Sequence, residues 1–167
     1  MLKLRASAPK FDCTAVVECE VVHLAWHELY GHRNLVLLFD SIDEYLNRPN
    51  DLAALSNAAS RFAILNCKLA VICPDDQFEI LMWMDRLSAE LGSKPVGFPV
   101  IVDADNEIGS LYDMLSEDGP LWGHVIADSN ARVRSISAHS SAVGLNVEAL
   151  IECVASIVEN DDDWGQR

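Results

Sequence analysis

Basic residues are the scarcest feature of this chain. Twelve Lys and Arg stand against 26 Asp and Glu, for a formal net charge of −14. Phosphate binding relies on clustered Lys and Arg, so neither nucleic acid nor an anionic membrane is expected as a partner. Long apolar runs are also missing: none approaches the roughly 18 residues of a membrane-spanning helix. The first residues, MLKLRASAPKF, carry bases but no apolar core of a secretory signal. A cytoplasmic protein is therefore expected. There is no CxxC pair, and the cysteines number five, an odd count. Disulfide frameworks serve small chains with little core, whereas half of these 167 residues are hydrophobic. No His-x3-His partners the cysteines, so no metal and no cofactor are expected.

What is present is a succession of apolar bursts. The chain reads as one domain over residues 1–160, with an acidic tail at 161–167 expected to fray. The acidic stretches EYLNRPND, CPDDQFE, VDADNE and ENDDDW read as solvated surface. Two strands are expected around DCTAVVE and EVVHLAW, then a turn at Gly31 and a buried strand NLVLLF. After Pro49, Leu52, Leu55, Ala59 and Phe62 recur at helical spacing, which predicts one apolar helix face. KLAVIC (68–73) predicts a second buried strand, and Phe78–Leu91 an amphipathic helix stopped by Gly92. FPVIVDAD predicts a third strand and Asn106–Leu115 a short helix. After a loop, SEDGP, comes a hairpin of GHVIAD, the turn DSNA and RVRSISA. VEALIECVASIVE closes the chain as a helix, with Leu150, Val154, Ile157 and Val158 toward the core. This order predicts an α/β fold opened by an N-terminal β-hairpin. Its sheet is expected to be mainly parallel but mixed, flanked by helices on both faces. The order is the thioredoxin-like one.

One turn stands out. DSIDEYLNRPNDL (40–52) lies where NLVLLF empties into a helix, a place where α/β proteins often put chemistry. It holds Arg48 and Pro49 but no obvious nucleophile. Pro49 suits a first helical position. A cation at Arg48 sits near the positive end of the helix dipole, mildly unfavourable by about 0.3–1 kcal/mol at an exposed site. Asp43, Glu44 and Asp51 are close enough in sequence to offset it. Two readings stay open. One is a capped helix start with a surface ion pair. The other is an anion-accepting pocket of Arg48, Asn50, Asp51 and free backbone N–H groups.

Several stretches, taken in order, resemble a known family. APKFDCTAV is similar to an N-terminal APxFxxxAV, and LYGHRNLVLLF to YKGKxVVLFF. FAILNCKLAVICPDDQF is similar to FxxLNCEVLGVSVDSQF; Trp83, FPVIVDAD and HVIADSNARVRSI follow in step. The chain so resembles the peroxiredoxins, in the alkyl hydroperoxide reductase C / thiol-specific antioxidant branch, from about Ala8 to about Val158. The resemblance implies a thioredoxin-like fold of peroxiredoxin type, a thiol-dependent peroxidase, and a homodimer or ring of dimers. It also implies a signature, Pro-x-x-x-Thr-x-x-Cys, with an arginine from a later strand. In that signature the cysteine attacks peroxide. The threonine and backbone amides hold its oxygens, and the arginine favours the thiolate. Carried over, the proline falls at Ser41, the threonine at Tyr45, the cysteine at Arg48 and the later arginine at Trp122; only Pro49 survives. No cysteine lies between Cys19 and Cys67, so no shift of register restores the signature.

Other groups offer weaker chemistry. A peroxide-reducing thiol must be ionised, which favours a helix N-terminus beside a cation. Cys67 and Cys73 fall in an expected core strand and read as small buried hydrophobes. Cys153 lies in the last helix beside Val154. Cys13 and Cys19 lie on the opening hairpin, where exposure is expected; Glu18 and Glu20 make Cys19 an expected sluggish nucleophile. These three are the alternative redox residues. His23 and His27 are four apart but not on an assured helix, and His124 and His139 fall at strand ends. No Gly-x-Ser-x-Gly turn presents a serine. The favoured reading is a scaffold of peroxiredoxin type that has lost peroxidase chemistry. It would act by binding, as a homodimer, a higher oligomer or a partner of an active peroxiredoxin, with RVRSISA as the pairing edge. The alternative is a residual antioxidant oxidoreductase or redox sensor using a non-standard cysteine.

Overall fold

The structure is a computed structural model. It describes residues 1–42, 49–90, 92, 96–140 and 145–164, and the side chains of these except at 49–53 and 161–164. The chain opens with β1 (Cys13–Val17) and β2 (Glu20–Leu24), paired antiparallel. A one-turn helix α1 (Trp26–Tyr30) leads into β3 (Asn34–Phe39), which is buried at every position. Helix α2 (Pro49–Ile64), β4 (Cys67–Cys73) and α3 (Gln77–Glu90) follow. Next come β5 (Val100–Val102), α4 (Glu107–Leu111), and a small ladder of β6 (Leu115–Ser116) with β7 (Gly119–Pro120). The chain closes with β8 (Trp122–Ala127), β9 (Val133–His139) and α5 (Val147–Trp164).

Seven strands form one sheet in the order β2-β1-β5-β4-β3-β8-β9. The expectation of a mainly parallel sheet needs correction. Parallel pairing is confined to β5-β4-β3 among the described residues, and the other ladders are antiparallel. Two hairpins extend the parallel centre on both sides, so the antiparallel pairs outnumber the parallel ones. The sheet is mixed, and helices cover both faces.

Alternation along each strand sorts the core into two layers. On one face Val36, Leu38, Leu69, Val71, Val100 and Ile126 pack under α2, α3 and α5. On the other, Leu35, Leu37, Ala70, Ile72, Ile101 and Val125 pack under α1, α4 and the N-terminal Ala8 and Phe11. The helix faces are mostly as the spacing predicts. Leu55 and Phe62 are buried, but Ala58 rather than Ala59 fills the α2 face. Leu150, Val154 and Ile157 are buried, and Val158 is half-buried. Leu52 lies among the residues whose side chains are not described.

Local elements differ from the sequence pattern in four places. Trp26 and His27, expected in or just after a strand, begin helix α1. Its short turn is held by the Ala25 N–H donating to Glu28 Oε2 at 2.8 Å and ends at Gly31 with φ 57°. Second, the third central strand keeps only Val100–Val102, and the following helix only Glu107–Leu111. Third, SEDGP is not a plain loop: Ser116 pairs with Gly119 in the β6–β7 ladder. Fourth, α5 continues to Trp164, through the first residues of the stretch expected to fray.

Candidate functional site at the mouth of helix α2

Strand β3 ends at Phe39, in the middle of the sheet, and Asp40, Ser41 and Ile42 carry the chain out of it. Asp40 and Ser41 are buried, 4% and 7% exposed. The Ser41 N–H donates to Asp40 Oδ1 at 2.7 Å. The Ile42 N–H donates to Asp75 Oδ2 at 3.0 Å, and the Cys73 thiol donates to the same oxygen at 2.8 Å. Asp75 thus ties the chain leaving β3 to the end of β4. Arg48 and Tyr45 lie outside the described residues. Pro49 is the first residue of α2, as its backbone preference predicts. Asn50 and Asp51 follow in the first turn of α2, and the anion-accepting pocket expected of them with Arg48 rests on side chains that are not described.

Trp122 opens β8, and Gly123 next to it pairs with Phe39. The β3–β8 register therefore brings Trp122 beside the exit of β3. Trp122 and Asp40 line one small cleft with Phe39, Pro74, Asp103 and Met114. Asp103, read from sequence as part of a solvated acidic stretch, is 6% exposed. Its two carboxylate oxygens accept the N–H groups of Ile108 at 2.9 Å and Gly109 at 2.8 Å, at the start of α4. Burial raises its carboxyl above the usual range, while these N–H groups pull it back down. The sequence reading missed Asp40, Asp75 and Asp103. A signal was present for two of them: each directly follows an apolar strand, LVLLF or VIV, at the carboxyl end of the parallel centre.

The cysteines divide sharply by burial. Cys67 and Cys73 are buried in β4, as expected. Burial pushes the Cys67 thiol up to about 12. Cys73 lies beside the exit of β3 at Ile42, but burial and then Asp75 raise its thiol well above the ordinary range. It is a protonated donor there rather than a nucleophile. Cys13, expected to be exposed, is 5% exposed. It begins β1 on the face packed with Phe11 and Trp26, and burial followed by Asp12 pushes its thiol up to about 11. Cys153 is half-buried against the α2–α5 core layer. Cys19 is exposed at the β1–β2 turn, its N–H 3.4 Å from Met84 Sδ. His23 lies on β2 and His27 on α1. No group of three or more His, Cys, Asp or Glu is placed to hold a metal among the described residues. No described helix is long and apolar enough to cross a membrane.

Among the described residues, the site is the exit of β3 at the centre of a mixed sheet, beside Trp122 at the start of β8. Known proteins share this frame. Peroxiredoxin-2 of Bos taurus is 27% identical over 157 residues, covering 93% of this chain and 78% of its own length. Peroxiredoxin 2 of Drosophila melanogaster is 28% identical over 168 residues, covering 99% and 86%. The structure of the mitochondrial 2-Cys peroxiredoxin from Plasmodium falciparum superposes with a TM-score of 0.80 at 22% identity. The match covers 96% of each chain and shows the peroxiredoxin-type, thioredoxin-like fold. The profile of the AhpC/TSA family matches residues 5–136, and on that match the chain belongs to the AhpC/TSA family.

Proposed function

We propose that this family member does not run a thiol peroxidase cycle at the mouth of α2 and works by binding, as a regulatory or oligomer-forming scaffold. One observation carries this reading: no cysteine occurs between Cys19 and Cys67, so residues 40–52 hold no thiol. Arg48 stands where the family resemblance puts the peroxidatic cysteine, and Ser41, Tyr45 and Trp122 stand where it puts the helpers. The nearby thiol, Cys73, is fully buried and protonated, which supports the reading. Edge strand β9 supports assembly as a homodimer, a higher oligomer or a mixed oligomer with an active peroxiredoxin. A net charge of −14 favours a role without nucleic acid, and the expected lack of a secretory signal at MLKLRASAPKF favours the cytoplasm.

A second reading draws on Cys19, which is exposed and free. It makes the chain a residual antioxidant oxidoreductase or redox sensor working through that thiol. Cys13 and Cys153 fit this role less well, being buried and half-buried.

Peroxide consumption in the presence of a dithiol reductant separates the two. The wild-type chain is expected to consume hydrogen peroxide no faster than a variant without its five cysteines. Faster consumption sinks the binding reading. A mass in solution equal to a multiple of 18.4 kDa is expected, and a monomeric mass removes the assembly from it.

A further inference from the structure

The closing hairpin carries two histidines that nothing above uses. His124 is the third residue of β8, and His139 the last of β9. Alternation puts His124 on the face of Ile126, under α2 and α5. Across the ladders it meets Leu38 on β3 and Ser137 on β9. Its Nε2 lies 3.2 Å from Ser135 Oγ, while Ser137 Oγ lies 2.9 Å from His139 Nε2. Two imidazoles and two hydroxyls thus share one face of the sheet's edge hairpin.

The charges around His124 come from few places. Leu38 brings none. On the helices above, Arg61 of α2 and Glu148 of α5 are paired to each other, at 2.5 and 3.1 Å, and Glu152 and Glu159 of α5 are exposed. Among the described residues, His139 is the charge-bearing group that acts on His124. Half-burial strips water from the ring, and among the described residues no carboxylate is seen to act on a cation there. Burial first, and then His139, hold the His124 imidazole below its ordinary range.

We propose that His124 and His139 form a proton-operated latch on the sheet edge: the closed β8–β9 hairpin accommodates His124 as the neutral ring, and its protonation by solvent loosens β9 from β8. The bond to Ser135 is not what breaks, since the hydroxyl can accept from a protonated ring. The cost is a desolvated positive charge facing a second imidazole. Opening β9 returns the ring to water and relieves it. The sign follows from linkage. A histidine held low in the folded hairpin binds more protons once the hairpin is open, so the closed state weakens as pH falls through the imidazole range. This latch stands whether or not the chain reduces peroxide.

Amide hydrogen exchange, corrected for intrinsic rates, tests it between about pH 7.5 and about pH 5. In the wild-type protein, β8–β9 ladder amides are expected to lose protection by up to about tenfold per pH unit, the limit for one proton. The β4 amides of Val71 and Ile72 should lose much less. His124→Gln, which keeps a hydrogen bond to Ser135 but cannot charge, should abolish that loss. His139→Gln, which removes one cause of the low His124 midpoint, should shrink that loss and bring it to an end at a higher pH. Equal loss at β4, or unchanged loss in His124→Gln, overturns the latch. Should the variants misfold, the His124 ring titration by NMR in the wild-type protein decides. A midpoint at or above the ordinary imidazole range of about 6.5 overturns the latch, and a lower one supports it.

Discussion

At the scale of single residues, solvent access separates the five thiols. Ellman's reagent on the folded protein is expected to label Cys19 quickly and Cys153 slowly. Cys13, Cys67 and Cys73 should react only after unfolding, because burial keeps their thiols protonated. Rapid labelling of a third thiol would contradict that assignment. The burial of Cys67 and Cys73 was legible, since both sit in the apolar run around KLAVIC. That of Cys13 was not, because the aromatic cover from Phe11 and Trp26 depends on a helix the pattern did not show. Asp75 was read as surface, yet its Oδ2 accepts both the Ile42 N–H and the Cys73 thiol. Asp75→Ala leaves both donors unmatched and is expected to cost about 1–3 kcal/mol in urea denaturation. It should also make Cys73 react faster in the folded protein. At the mouth of α2, Arg48→Cys alone is expected to leave peroxide consumption at the wild-type level. Ser41, Tyr45 and Trp122 would still stand where the helping groups are expected, and robust turnover would show that the account of this turn is wrong.

Among the elements, the closing hairpin is the least tolerant of added bulk. Gly123 has φ 144°, and a Cβ there would lie 1.9 Å from the carbonyl oxygen of Ser137. That contact is with backbone, so no side chain can swing aside. Gly123→Ala is expected to cost about 2 kcal/mol or more in chemical denaturation, by forcing β9 away from β8. By contrast, Arg61 and Glu148 join α2 to α5 on the exposed surface. Glu148→Gln should leave the denaturation midpoint nearly unchanged, as exposed pairs usually do. Long elements were legible in the sequence because their apolar periods repeat. The six buried positions of β3 and the faces of α3 and α5 are examples. Helix α1 was not, since five residues are too few to show a helical period. The excess of antiparallel ladders was hidden as well, because pairing partners lie far apart in sequence and only the register reveals them.

For the molecule as a whole, surplus negative charge works against compactness. With a net charge of −14, raising salt from about 0.01 M to about 0.15 M should lift the melting temperature by a few degrees. A fall would mean that favourable ion pairs outweigh the self-repulsion. Read as a whole, the sequence disclosed the fold, which follows from local patterns, and the lack of a thiol in the turn expected at residues 40–52. The carboxylates around that turn stayed hidden, because Asp40 and Asp103 meet one cleft only when the sheet is assembled. The sheet also acts as a bulkhead. Phe62 belongs to the compartment under α2, α3 and α5, and Tyr112, whose hydroxyl donates to the Pro9 carbonyl at 2.6 Å, to the one behind it. Damage to one compartment should therefore be felt independently of the other. The losses from Phe62→Leu and Tyr112→Phe should sum in the double variant to within about 0.5 kcal/mol. Each hydrophobic layer can then be redesigned, or drift over generations, without renegotiating the layer on the far side of the wall.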